Sequence, residues 1–275
     1  MAAIRRRRRQ ADEFERLLAR VRARDPTAAA LTVQFEAAHA TAMLQALAGH
    51  TAATGLELLD IVPFTDEHAA LLLGVLPELP QLRTLMVRGC AVGPALVRPL
   101  AATLPTAHVR CLYLAKNSVG DEGATTLANA LATVPLAELD LDSNGIGNAG
   151  ACALAAAVAQ HRTLGDLILS GNIIGPAGAE ALAAILAVNT VLRNLDLGDN
   201  PLGAAGIAVF VRALGQSVRL KTLALSGRNV NAEALEPLAE ALLADRSIVS
   251  FRLTSGPLMW EMYRQRLFQH HVGNM

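Results

Sequence analysis

The sequence predicts an α/β solenoid: about eight strand–helix repeats wound into a right-handed horseshoe arc, with parallel strands on the concave side, helices on the convex side and helical caps. Three observations lead there. The first is the pattern L-x-x-L-x-L-x-x-N, which starts at Val109, Leu136, Leu164 and Leu192, with weaker copies from Leu56, Leu82, Leu220 and Ile248. Successive starts lie 26, 27, 27, 28, 28, 28 and 28 residues apart, the internal period of a repeat array. The second is a change of period inside each unit. Leu139 and Leu141 alternate as in a short strand, whereas Leu127 and Leu131, Leu154 and Val158, Leu182 and Leu186, Phe210 and Leu214, and Leu238 and Leu242 lie four apart on one helix face. The third is the small residues around those positions, such as Ala181, Ala183 and Ala184, which let each helix pack close to its neighbours.

Taken in order, residues 1–25 read as a basic N-terminal arm or helix. They hold nine Arg against Asp12, Glu13, Glu15 and Asp25, a net of +5 that leaves −5 over 26–275 in a chain with 24 basic and 24 acidic residues. Within that arm Phe14, Leu17, Leu18 and Val21 suit a helix over 11–24; beyond Asp25-Pro26, residues 26–55 read as an N-terminal helical cap, with Leu31, Phe35, Met43, Leu44 and Leu47 suiting a helix over 28–48. Residues 56–256 are the repeats. Residues 257–275 read as a C-terminal cap helix and tail, with Trp260, Tyr263 and Leu267 at helical spacing and Phe268 adjacent.

These repeats resemble the leucine-rich repeat proteins of the ribonuclease-inhibitor-like class. Asn144-Gly145-Ile146-Gly147 followed by Gly150, and Asn172-Ile173-Ile174-Gly175 followed by Gly178, carry the match, which covers about residues 56–256. The pattern departs at Phe64, Cys90, Arg228 and Gly256, where the Asn is replaced; Cys is a known substitute. A unit of this kind cannot bury its apolar face alone, so neighbours share a core. Asn117, Asn144, Asn172 and Asn200 would stack, their amides satisfying turn groups that no ladder reaches. Gly120, Gly147, Gly175 and Gly203 would permit the turn into the helix. Strands pack about 4.8 Å apart and helices about 8–10 Å, so the array bends with its strands inside.

Little in the sequence carries chemistry, and the chain reads as no enzyme, with no cofactor and no metal. Gly120-Asp121-Glu122-Gly123 lacks the Lys-Ser/Thr pair of a phosphate loop. His39, His50, His68, His108, His161, His270 and His271 show no metal-ligand spacing with Cys90, Cys111 and Cys152. Three cysteines make no disulfide framework, and with no secretory signal they point to a reducing intracellular compartment. The cytoplasm, including cytoskeleton or cilium, is the first expectation; mitochondrion and nucleus stay open. No apolar stretch approaches the roughly 18–20 residues that span a bilayer, so membrane insertion is not expected.

Strand side chains alternate, so the residues flanking the repeat leucines face the concave surface. The first repeat presents Leu58, Asp60 and Val62, the second Met86 and Arg88, the third Cys111 and Tyr113. The middle repeats present Glu138, Asp140, Asp142, Asp166, Ile168 and Asp196, with Asp199 at a strand end and no Lys or Arg beside them in those repeats. The last two present Ala224, Ser226, Arg252 and Thr254. The acidic stripe suits a basic protein segment, although Asp after the second repeat leucine is also a common consensus residue of the family. Arg5, Arg6, Arg7, Arg8 and Arg9 read as a solvated arm, a contact for RNA or an acidic protein, or part of a targeting leader.

The function expected from the resemblance is a non-enzymatic protein–protein scaffold, a subunit or adaptor of a larger intracellular assembly, cytoskeletal or ciliary or ribonucleoprotein. The alternative is a small-GTPase regulator resembling the Ran GTPase-activating protein. The Cys-rich, Trp-anchored pattern of the ribonuclease inhibitors themselves is missing.

Overall fold

The computed structural model describes residues 2–34, 37–214, 216, 219–228, 230–245 and 247–254. The cap helix expected over 257–275 and the side chains of Arg5–Arg9 lie outside this description. Two compact units divide the chain, Met1–Asn117 and Ser118–Met275.

The first unit runs α1 (Ala2–Arg22), β1 (Ala30–Gln34), α2 (Ala37–Ala46), β2 (Gly55–Leu59), α3 (Asp66–Val75), β3 (Thr84–Arg88), α4 (Pro94–Thr103) and β4 (Cys111–Tyr113). Its strands pair in parallel in sequence order. The helix expected over 28–48 is a strand followed by a helix, so the repeats begin one unit earlier than the pattern suggested. Leu31 and Val33 alternate into the core, and Leu31 pairs with Leu56. The sequence concealed this because Ala28 stands where the first repeat leucine would be, and Leu31 and Phe35 lie four apart. Beyond α1, Thr27 donates its hydroxyl and its N–H to Asp25, and Arg20 pairs with the same carboxylate, holding its pKa down at about 2.

The first register also shifts. Leu56 pairs with Leu85 and Leu58 with Val87, all four buried, so the β2 repeat starts at Ala53 rather than Leu56. Leu58 is therefore core, Glu57 and Leu59 take the outward places, and Asp60 and Val62 belong to the following turn. Ile61, fully buried, stands at the Asn position assigned to Phe64.

The second unit runs α5 (Gly120–Ala130), β5 (Glu138–Asp140), α6 (Asn148–Gln160), β6 (Asp166–Ile168), α7 (Pro176–Ala184), β7 (Asn194–Asp196), α8 (Gly203–Ala213), β8 (Thr222–Ser226), α9 (Ala232–Ala244) and β9 (Ser250–Thr254). The strands β5 to β9 pair in parallel, each with the next. The repeat leucines Leu139, Leu167, Leu195 and Leu223 and all five helix pairs expected from the spacing are buried. In all, nine strands lie among the described residues, in a leucine-rich-repeat arrangement of strand and helix.

The asparagines act as expected. Asn172 accepts from the N–H groups of Asn144 and Ile146 with its Oδ1, at 2.9 and 3.0 Å, and donates through Nδ2 to the carbonyls of Leu141, Leu169 and Ser170. Asn117 and Asn200 make the same kind of bonds to the repeat before their own. Each side chain thus ties one turn to its predecessor. The residue just before it adopts a left-handed backbone, with φ from +53° to +67° at Asp60, Gly89, Lys116, Ser143, Gly171 and Asp199. Only two of the four glycines expected to need that freedom have it: Gly120 and Gly203 lie at φ +61°, whereas Gly147 and Gly175 are extended helix N-caps.

What Gly147 and Gly175 do instead is receive a cap from the preceding helix. Asp121 on α5 accepts the N–H groups of Gly147 and Gly150 at 2.7 and 2.8 Å, and Asn148 on α6 accepts those of Gly175 and Gly178 at 2.9 Å each. The helices have no cap from their own N-cap residue, so the preceding repeat satisfies the donors that a helix start leaves over. The close approach needs glycine at 150, where a Cβ would sit 2.9 Å from both Ala124 Cβ and Ile146 Cγ2. Asp121→Ala is expected to lower stability by about 1–2 kcal/mol, and Asp121→Asn by clearly less because it keeps an acceptor. Equal losses for the two in urea unfolding would discard the cap.

A second ladder ties each helix end to the next strand. His161 accepts the Leu164 N–H on Nδ1 and meets the Val134 carbonyl with Nε2, which sets the proton on Nε2. Asn189 accepts from Val191 and Leu192 and donates to the Val158 and His161 carbonyls. Asp245 accepts from Ser247. All three lie three residues before a repeat start, as does His50, buried with neither ring nitrogen hydrogen-bonded.

Candidate functional site

Parallel register sorts the outward side chains of the second unit into three rows across β5 to β9. The first row is Glu138, Asp166, Asn194, Thr222 and Ser250; the second is Asp140, Ile168, Asp196, Ala224 and Arg252. The third is Asp142, Ser170 and Gly198, just past the ends of β5 to β7, with Ser226 and Thr254 as the last residues of β8 and β9 and Asp199 at the turn. The structure therefore gathers Glu138, Asp140, Asp142, Asp166, Ile168, Asp196 and Asp199 on one unit. Met86 and Tyr113, which are half-buried register partners, and the exposed Arg88 belong to the other unit, where Glu57 lies beside Met86.

Local chemistry separates these carboxylates. Asp140 and Asp196 each accept the backbone N–H two residues on, Asp142 and Gly198 respectively, at 2.8 Å. Their presence is thus explained by the turn, as a consensus residue would be. Asp142 accepts the hydroxyls of Ser170 and Ser143 at 2.8 and 3.1 Å. Asp166 accepts the amide of Asn194. Glu138 and Asp166 occupy paired register positions, and two like charges about 5 Å apart repel by about 1 kcal/mol even in water. Six carboxylates share this face with one guanidinium.

That guanidinium comes from outside the middle repeats, which hold no Lys or Arg beside the stripe. Arg252 on β9 forms an ion pair with Asp196 on β7, passing over β8. Thr254 accepts the Asp199 N–H at 2.7 Å. Ala224 and Ser226, expected to face outward, are buried at 2% and 0% exposure. Local sequence spacing carries no signal for a reach across two strands.

Cys90 lies in the Asn position, where its N–H donates to Asn117 and its thiol to the Leu58 and Arg88 carbonyls; burial pushes the thiol up to about 11. Cys152 is exposed on α6. A thiol reagent at mildly alkaline pH is expected to label Cys152 at once and Cys90 only after denaturation. Labelling of Cys90 as fast as Cys152 would contradict the buried ladder position. Among the described residues no group of three or more His, Cys, Asp and Glu side chains fits a metal ion, and no helix is long and apolar enough to cross a membrane. On the helix side, a groove of about 670 Å³ between α5 and α6 is lined by small residues such as Ala132, Ala153 and Ala156, with Arg162 at its rim.

Residues 107–128, 135–155, 160–183 and 188–211 match the family model described as Leucine Rich repeat. No curated protein sequence matches the chain. Among solved structures it is similar to the leiomodin-1 actin-binding site 2, at 17% identity and TM-score 0.48, over 56% of this chain and 90% of that one. It is also similar to TLR13 in its complex with ssRNA13, at 18% identity and TM-score 0.46, over 77% of this chain and 31% of that one. The chain thus spans less than a third of the TLR13 length.

Proposed function

This chain is a leucine-rich repeat protein, and on that premise we propose that it is an interaction scaffold that holds a basic protein segment on the strand face of its second unit. Repeat arrays of this kind imply protein–protein binding, because each unit presents a fresh row of side chains on a stiff frame. The observation that carries the reading is the row arrangement of Glu138, Asp140, Asp142, Asp166, Asp196 and Asp199 on neighbouring strands. Carboxylates gathered on one face attract a cationic side chain. Ile168, half-buried between Asp140 and Asp196, gives the face an apolar centre.

Such a scaffold serves as a subunit or adaptor of a larger assembly. The five arginines Arg5–Arg9 carry charge of the opposite sign, which suits RNA or an acidic protein. Co-purification from the native source, split with and without ribonuclease, tells the two apart: partners lost on treatment belong to the run and an RNA, and partners retained to protein contacts.

The acidic face is tested by charge reversal. Glu138→Lys with Asp166→Lys is expected to weaken binding of a retained basic partner at least tenfold at low salt, with thermal unfolding changed far less than by a core substitution, since both side chains lie on the outward side of their strands. Unaltered affinity in the doubly reversed protein would move the site off this face.

A further inference from the structure

We infer that the strand face contains a guanidinium subsite, Asp196 beside the small floor of Ala224 and Gly198, which the chain's own Arg252 fills and which an arginine of the partner takes over. This rests on the partner-surface reading above and adds to it the kind of side chain recognised, the residue that recognises it and a built-in competitor.

The register fixes the geometry. Arg252 is paired with Ala224, and Ala224 with Asp196, so two strand spacings, roughly 9–10 Å, separate the arginine from its acid. Only a long side chain lying flat across β8 closes that distance. Its stem passes over Ala224, which accounts for an outward-register alanine being 2% exposed. A larger residue at 224 would stand in its way. The acid is held ready for it: Asp196 Oδ1 accepts the Gly198 N–H at 2.8 Å, leaving Oδ2 for the guanidinium. A carboxylate fixed by the backbone forms a charge-assisted bond without first being ordered.

The two partners differ in exposure. Arg252 has 63% of its side chain exposed and Asp196 only 20%. An ion pair so open to solvent is weak, so a fixed acid carries an exchangeable base. In the next row Thr254 lies across Ser226 to the Asp199 N–H, and its methyl is 2.9 Å from where a Cβ on Gly198 would sit. β9, the last strand among the described residues, thus covers β8 with its side chains and reaches β7, with the guanidinium at the border of the acidic rows.

The test is fluorescence anisotropy at low ionic strength with a labelled arginine-rich peptide and a lysine-rich peptide of the same length and charge. Arg252→Ala is expected to bind the arginine peptide about two- to fivefold more tightly than the unmodified protein, with a smaller gain for the lysine peptide, which lacks the planar fork. Adding Asp196→Asn should remove the gain. Unchanged affinity in Arg252→Ala, with the unmodified protein binding the peptides, overturns the subsite and leaves the acidic face standing. Equal gains for both peptides reduce Arg252 to a screening charge and also overturn it. Failure of all proteins to bind either peptide overturns the acidic face and the subsite together. Arg252→Lys, which keeps the charge and the fold, is expected to behave between the unmodified protein and Arg252→Ala.

Discussion

Asn172→Ala is expected to destabilise the protein by about 3 kcal/mol or more, a large part of the roughly 5–15 kcal/mol that holds a domain folded. Asn172 is 4% exposed and makes five bonds to backbone groups, two accepted and three donated. Alanine would leave the N–H groups of Asn144 and Ile146 buried without an acceptor, at about 1–3 kcal/mol each. The bonds lost join β5's turn to β6's, so the damage falls on the junction between repeats. Asn172→Asp makes a sharper test: it keeps an acceptor but loses both amide donors and buries a charge, and should be no milder than alanine. Urea unfolding of the two variants, compared with the unmodified protein, reads the effect. A loss under about 1 kcal/mol for Asn172→Ala would mean that water satisfies these turns and the ladder is dispensable.

Leu139→Ala is expected to cost about 2–5 kcal/mol, whereas Glu138→Gln, one residue away, should stay within about 0.5 kcal/mol. Leu139 is 1% exposed on the core side of β5, and Glu138 faces outward. Leu139 belongs to the second unit, where its register partner is Leu167. Removing its three outer carbons leaves a void that stacked leucines cannot fill without leaving their rotamers. Comparable losses for the two variants would show that the strand does not alternate as described.

Most of the array was legible because its signals are local and repeated. Leu154 and Val158, or Leu182 and Leu186, announce their helix face by spacing alone, and all are buried. Asn117, Asn144, Asn172 and Asn200 announce their ladder by recurring at the same place in four successive units. The reading failed where one unit departs from the consensus. Ala28 hid the first repeat, and a hydrophobic run over Leu56, Leu58 and Leu59 allowed a start three residues late. A slip of that size exchanges core and surface positions, which is why Leu58 was assigned outward and Glu57 was missed. Gly147 and Gly175 were assigned to a turn conformation they do not adopt, because sequence spacing does not distinguish a glycine needed for φ from one needed for space.

The composition of the acidic rows was likewise in the sequence: alternation along β5, β6 and β7 puts Glu138, Asp140, Asp166 and Asp196 on one face whatever the details of packing. What each acid does there was decided by tertiary structure. Asp121 caps the helix of the next repeat, Asp166 takes the amide of Asn194, and Asp196 takes a guanidinium from 56 residues further along the chain. Periodicity determines which residues share a face, because strand and helix repeat lengths are properties of the backbone. It does not determine partners, because a side chain's reach depends on the spacing, register and neighbouring side-chain sizes of strands that meet only when the repeats have stacked.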